Sequence, residues 1–391
     1  MRGIEEAQAL YEQLVAWRRD FHRYPEIGLA LPRTAKKVAE VLDQAGYAVQ
    51  ERIATSGVVG VLKNGEGPTI MVRADMDALP IQEETDLPYA SQNPGVMHAC
   101  GHDAHMAIGL GVATLMAKTR DTWQGTLKLI FQPGEEGLNG AVVMIDEGVL
   151  DNPKPDKVLA LHVWSDRPVG KVSATPGPVM AAAERWEATI TGKGGHAAQP
   201  QETADPIMTA AMTITALQTI VSRNVSAQDT AVVTVGMLQS GEAFNIIPDT
   251  AYLRGTVRTY DPEVRETVLR RLQEIIEGTA RTMGLTAALN LEPLGPAVVN
   301  DAEVTAIVQK AIQDAAGPEA LEVGLQTMGS EDAAYFLQAI PGCYFFVGST
   351  PEGQAPIPHH NPHFIVDEKA LPVGTAVMLN ALRRLMPVGA A

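Results

Sequence analysis

Cysteine is nearly absent: Cys100 and Cys343 are the only two in 391 residues. That count excludes a disulfide-stapled scaffold. Basic residues are scarce as well, 30 Lys and Arg against 46 Asp and Glu, for a net charge of −16. So acidic a chain is not expected to bind nucleic acid or an anionic membrane surface, because both need clustered Lys and Arg. A small anionic substrate stays open, since one local arginine can override a distant negative field. No apolar run approaches the roughly 20 residues that cross a bilayer. The opening segment Met1-Arg2-Gly3-Ile4-Glu5-Glu6 lacks the charged and apolar regions of a signal peptide, so a cytoplasmic protein is expected. Internal repeats and low-complexity tracts are missing too.

What is present is a globular composition, 46% hydrophobic and 19% charged, in a chain too long for one ordinary core. Helical spacing predicts a helix over 5–20, broken at Pro25, and a second over 34–44. His22 reads as a loop or core histidine. Short apolar strands follow at 69–74, 126–131 and 158–161, with a helix over about 104–118. Alternation of strands and helices predicts an α/β domain with a mixed, largely parallel sheet. From about residue 186 the order becomes β-α-β-β-α-β, the ferredoxin-like unit. Asp205 and Asp261 each precede a Pro at a helix start. Residues 186–293 therefore read as an inserted α+β domain, interrupting a larger domain formed by 1–185 and 294–391. The resumed part holds a helix over 301–316, an apolar strand around Cys343 whose thiol reads as inert packing, and a last helix over about 368–384. The tail 387–391 is expected to fray.

The densest chemistry lies in Met97-His98-Ala99-Cys100-Gly101-His102-Asp103-Ala104-His105. Thiolate and imidazole together suit transition metals. Cys100 precedes a predicted helix, whose N-terminal amides favour the thiolate, and a thiolate can bridge two cations. His102 can reach the same ion. Three strands end in acids or a histidine: Asp75 and Asp77 after the first, Glu135 and Glu136 after the second, His162 after the third. In open α/β sheets such ends meet at one edge, where ligands bind. Of two adjacent glutamates, one can ligate while the other faces a bound water. Near the C-terminus, His359, His360 and His363 offer a further ligand, and spacing does not choose among them. These residues read as a metal cluster with an internal acid/base. The rival chemistry, a nucleophilic Cys100 paired with His98 or His102, leaves the glutamates and the later histidines without a role.

Taken together, these motifs resemble the M20 metallopeptidase family. They fit its amidohydrolase subgroup, with N-acyl-amino-acid amidohydrolases, hippurate hydrolases and auxin-conjugate hydrolases. The residues that carry the resemblance are 73–80, 97–105, Gln132-Pro133-Gly134-Glu135-Glu136, Leu161-His162, Gly194-Gly195-His196-Ala197-Ala198, Asn245-Ile246-Ile247-Pro248-Asp249, 255–259, Gly329-Ser330-Glu331-Asp332 and His360-Asn361-Pro362. The resemblance implies a catalytic domain with an inserted lid. It implies two divalent metal ions, Mn2+ or Zn2+ foremost and Co2+ or Ni2+ as alternatives. Their ligands would be Cys100 as bridge, His102, Glu136, His162 and His360, with Glu135 as general base. The wider family has His-x-Asp where this chain has Asp75-Met76-Asp77, so both aspartates are read as orienting the ligands. His196, after a Lys-Gly-Gly turn, would assist at the oxyanion. Asn245 and Arg258 are candidates to hold a substrate carboxylate. The implied reaction is hydrolysis of N-acyl-L-amino acids to a carboxylic acid and a free amino acid. Carboxypeptidase or dipeptidase action on short peptides is the alternative. A homodimer or homotetramer through the lid is also implied.

Overall fold

The run Gly125–Gln132 is buried at every position, and so is Gly342–Thr350. Strands this apolar belong inside a sheet covered on both faces. The computed structural model describes residues 2–389 and places them there. Met1 and the last two residues of the tail expected to fray lie outside the described residues. An eight-stranded sheet runs in the order Ala48–Ile53, Gly57–Asn64, Gly125–Gln132, Thr69–Asp75, Lys157–Pro168, Gly342–Thr350, Val172–Ser173, Leu321–Glu322. The four strands from Gly125–Gln132 to Gly342–Thr350 are mutually parallel, and the first two strands pair antiparallel. The architecture is thus mixed α/β with a largely parallel centre.

Helices cover both faces. On one side His102–Lys118 packs with Tyr11–Arg23, Pro32–Gln44, Ala302–Ala316 and Ala370–Leu385 over the main core. The His102–Lys118 helix is buried at nearly every position, which its apolar, Gly/Ala-rich sequence permits. On the other side Gly140–Asp146 and Ala334–Ala339 enclose a smaller cluster around Met71, Ile130, Met144 and Phe336.

Several element bounds differ from the sequence expectation. The helix expected over 5–20 is two helices, Arg2–Ala9 and Tyr11–Arg23. The helix expected from 104 begins at His102, because Gly101 in the left-handed region ends the preceding loop there. The strand expected to stop before His162 continues to Pro168, since the Cys343 strand pairs with it all the way. His22 is a buried helix residue whose Nδ1 lies 2.8 Å from Asp103.

The chain divides into two compact units. The larger comprises the chain up to Val179, Val298–Gln326 and the chain from Asp332; the smaller comprises Met180–Ala297 and Thr327–Glu331. In the smaller unit the strands lie in the order Ala231–Gln239, Thr250–Thr259, Ala182–Thr191, Thr286–Gly295, all antiparallel. Numbered along the chain that order is 2-3-1-4, the ferredoxin-like arrangement. Helices Pro206–Thr219 and Pro262–Thr282 complete a separate core around Trp186, Leu253, Leu272 and Ile276. Asp205 and Asp261 cap these helices, each accepting two backbone N–H groups of the first turn.

A buried charge network ties the larger unit together. Arg73 donates to Asp75 Oδ2 at 2.6 Å, Gln132 Oε1 at 2.9 Å and Asp332 Oδ1 at 2.9 Å. Asp332 also accepts from Gln132 Nε2 and from the N–H of Ala141. Removing one partner of such a network leaves buried charge uncompensated. Asp332→Ala is therefore expected to lower unfolding free energy by about 3 kcal/mol or more in urea denaturation; a change below about 1 kcal/mol would show that the network carries little stability.

Candidate metal centre

Parallel strands end on the same side, so Asp75 lies opposite Gln132 where Thr69–Asp75 and Gly125–Gln132 finish. Asp77 follows the first strand. Glu135 and Glu136 follow the second, after the Pro133–Gly134 turn. Gly134 has φ +72°, and a Cβ there would lie 2.5 Å from Leu29 Cδ2, so the turn that aims the glutamates needs glycine. Gly101, between Cys100 and His102, has φ +89° and would place a Cβ 2.4 Å from Val163 Cγ2. His162 sits within its strand, level with Phe346 on the next one.

Asp77 fixes the geometry of this edge. Its Oδ1 accepts the N–H of Glu135 and its Oδ2 that of Glu136, each at 3.0 Å. Burial pushes its carboxyl up to about 6, against the pull of His102 and those two N–H groups. The Asp77 backbone carbonyl accepts His102 Nδ1–H at 2.7 Å. In the same way His162 Nδ1–H donates to Val163 O at 2.6 Å. A ring nitrogen facing a carbonyl carries the proton, so in the neutral ring Nε2 keeps its lone pair. Burial, reinforced by neighbouring histidines, holds His162 well below the usual histidine range and keeps it neutral.

Among the groups of potential ligand atoms, which also include His102, His105 and His162 together, two share Cys100. One is Cys100, His102 and Glu136; the other is Cys100, His162 and His359. Within each group the ligand atoms lie within 4.8 Å of one another. Cys100 Sγ is 3.4 Å from His162 Nε2 and 3.9 Å from His359 Nδ1. His360 Nε2 is 3.2 Å from Glu136 Oε1. Thiolate, imidazole lone pairs and carboxylate fit borderline divalent cations, and one sulfur common to both groups fits a pair of them. Glu135 is half-buried beside Glu136 and belongs to neither group.

The neighbouring histidines divide by their second nitrogen. His359 Nε2 accepts the N–H of Ser165 at 3.3 Å, so its Nδ1 carries the proton and faces the sulfur as a donor. His360 is held at φ +62°, unusual for a non-glycine residue, with its N–H bonded to Ala99 O at 2.9 Å. His363 is exposed and donates Nδ1–H to Glu84 O. His105 donates Nδ1–H to Asp75 Oδ1 at 2.6 Å and accepts Val163 N–H at Nε2, so it has no lone pair to offer. Burial alone would push Asp75 up, but His102, His105 and Arg73 hold its carboxyl well below the usual range. Asp103 pairs with Arg18 and His22 behind the site. Among the described residues the buried His98 ring has no hydrogen-bond partner, and burial pushes it down to about 3. The donor role of His359 and the double commitment of His105 escape sequence reasoning, since both depend on backbone N–H groups of a strand.

The remaining candidates lie in the smaller unit. His196 pairs with Ile246 in a two-residue ladder, and Asn245 O accepts the N–H of Ala197, so His196 and Asn245 share one exposed patch. His196 Nδ1 accepts the N–H of Ala198 at 3.0 Å, which puts the ring proton on Nε2. Arg258 is on the Thr250–Thr259 strand, and its Nη1 donates to Ser330 Oγ at 2.9 Å.

A sequence profile of peptidase family M20/M25/M40 matches residues 71–384. The chain belongs to this family. Membership makes it a hydrolase of amide bonds. It is 39% identical over 378 residues to an N-acetyl-L-cysteine deacetylase of Bacillus subtilis, covering 96% of this chain and 89% of that protein. It is 38% identical over 372 residues to IAA-amino acid hydrolase ILR1-like 2 of Arabidopsis thaliana, covering 94% and 84%. Its fold resembles the crystal structure of the Bacillus subtilis YXEP protein, described as a dinuclear metal binding peptidase from the M20 family. The TM-score is 0.86 at 33% identity, with 97% of this chain and 99% of that one covered.

The two thiols should behave oppositely. Cys100 is half-buried, whereas Cys343 is fully buried and burial pushes its thiol up to about 12. In native protein stripped with a chelator, a thiol-reactive dye is expected to label Cys100 quickly and Cys343 only after denaturation. Two fast thiols in the native protein would contradict this environment for Cys343.

Proposed function

We propose that this protein hydrolyses N-acyl-L-amino acids to a carboxylic acid and a free amino acid, using two divalent cations held by Cys100, His102, Glu136, His162 and His360. The observation that carries the reading is that Cys100 lies against His102 and Glu136 on one side and His162 on the other, with Nε2 of His102 and of His162 left unprotonated because backbone carbonyls take their Nδ1 protons. The similarity to a protein named for deacetylating N-acetyl-L-cysteine and to one named for hydrolysing IAA-amino acids supports the substrate class. The donor set suits Mn2+ or Zn2+, with Co2+ or Ni2+ as alternatives.

Bound there, the cations would supply the Lewis acidity that acidifies an attacking water and polarises the amide carbonyl. Glu135 takes the proton of that water and delivers it to the departing amine nitrogen. Asp77 keeps Glu135 and Glu136 apart in role by gripping the N–H of each with a different oxygen. His196, with its proton on Nε2, is assigned to the oxyanion of the tetrahedral intermediate. Arg258 and Asn245 are assigned to the substrate carboxylate, which a guanidinium matches geometrically.

The test combines one variant with one substrate panel. Glu135→Gln is expected to bind metal like the wild type while kcat on N-acetyl-amino acids falls by about 10²–10⁴. Retention of kcat would remove Glu135 as the base. N-acetyl- and N-benzoyl-amino acids are expected to be cleaved in preference to short peptides and to carboxylate-blocked esters. Faster cleavage of peptides would replace this substrate class with carboxypeptidase or dipeptidase action.

A further inference from the structure

The strand that carries His162 loses a neighbour just before it reaches the metal centre. Pairing between Thr69–Asp75 and Lys157–Pro168 runs from Ile70 opposite Lys157 to Arg73 opposite Ala160, and goes no further. On its other side Lys157–Pro168 stays paired with Gly342–Thr350 beyond His162. Within a parallel strand, alternate residues direct their N–H groups to opposite neighbours. Val158 N–H bonds Pro341 O, on the Gly342–Thr350 side. Val163 is five residues on and faces the other way, toward the place where the ladder has ended.

His105 fills that place. Its Nε2 accepts the Val163 N–H at 2.9 Å, standing where a strand carbonyl would stand. An amide nitrogen only donates, so Nε2 is unprotonated and Nδ1 carries the proton. Nδ1–H donates to Asp75 Oδ1 at 2.6 Å, and Asp75 Oδ2 accepts from Arg73 at 2.6 Å. The imidazole packs edge-on against that of His162, with centroids 4.4 Å apart and planes at 74°. Val163 is doubly engaged: its N–H goes to His105, and its carbonyl takes the Nδ1–H that orients His162. In contrast, His102 and Glu136 are oriented by Asp77.

We propose that His105 is a positioning residue for one of the two metal positions. As a side-chain substitute for a missing strand, it fixes the backbone at Val163, between the peptide group that bonds His105 and the one that bonds His162, and so the Nε2 of His162. The position formed by Cys100, His102 and Glu136 depends on Asp77 instead. This proposal rests on the dinuclear reading above.

The test is a calorimetric titration of chelator-stripped protein with Co2+, which reads stoichiometry and affinity without turnover. The wild type is expected to take up two ions. His105→Leu should keep one ion near wild-type affinity and weaken the other about tenfold or more. His105→Gln, whose side-chain oxygen can meet the Val163 N–H, should restore the second ion. His105→Asn, which reaches Asp75 but not Val163, should not. Equal weakening of both ions, no weakening, or rescue by Asn rather than Gln would overturn the proposal. Should His105→Leu fail to fold, the contrast between Gln and Asn decides by itself. A wild type that takes up fewer than two ions would bring down the dinuclear reading; two ions bound unchanged in His105→Leu would bring down only the role of His105.

Discussion

Asp77 is buried at the end of a central strand, and two chain segments from elsewhere in the sequence are fastened to it. Its carboxylate holds the N–H groups of Glu135 and Glu136, and its carbonyl holds His102. Burying a carboxylate is costly, and the raised value of about 6 records that cost. Two backbone N–H groups offset part of it, and a cation in front of the site would offset more. The same residue therefore orients one proposed ligand imidazole, one proposed ligand carboxylate and the proposed general base.

Around this point the larger unit carries further buried charge. Arg73, Asp75, Gln132 and Asp332 form one network at the strand ends. Arg18, His22 and Asp103 form another behind the first turn of the His102 helix. Neither is an economical way to stabilise a core, since apolar packing of equal volume often does as well. Both instead fix direction, one at the strand ends and one at the helix start. The histidines show what that direction achieves. Nearly identical imidazoles, crowded within a few ångströms, take different roles because different backbone groups claim their second nitrogen. A carbonyl at Nδ1 makes His102 and His162 lone-pair donors, while an amide N–H at Nε2 makes His105 and His359 proton donors on the other side.

Much of this was legible in the sequence. The β-α-β-β-α-β order of the inserted segment announces the ferredoxin-like sheet, and the density of Cys, His and Asp at 97–105 announces a metal cluster. Strand ends bring Glu136 and His162 to Cys100 from distant segments, with Glu135 beside Glu136. That His162 lies inside its strand is not visible in the side-chain pattern, because the apolar run that marks the strand gives way to Trp164-Ser165-Asp166 while pairing with the Cys343 strand continues. The roles of His105 and His359 were hidden for a related reason. Their partners, Val163 N–H and Ser165 N–H, are main-chain groups whose direction follows from which strand stops where. No side-chain pattern encodes it.

The most direct test of this account is the metal affinity of Asp77→Asn, measured by calorimetric titration of chelator-stripped protein with Mn2+ or Zn2+. The amide matches the carboxylate in shape but turns an NH2 group toward one of the two glutamate N–H groups, so one of the two fastenings is lost. The account predicts that affinity for at least one ion falls about tenfold or more, the range typical of residues that orient metal ligands. Two ions bound with unchanged affinity would contradict it.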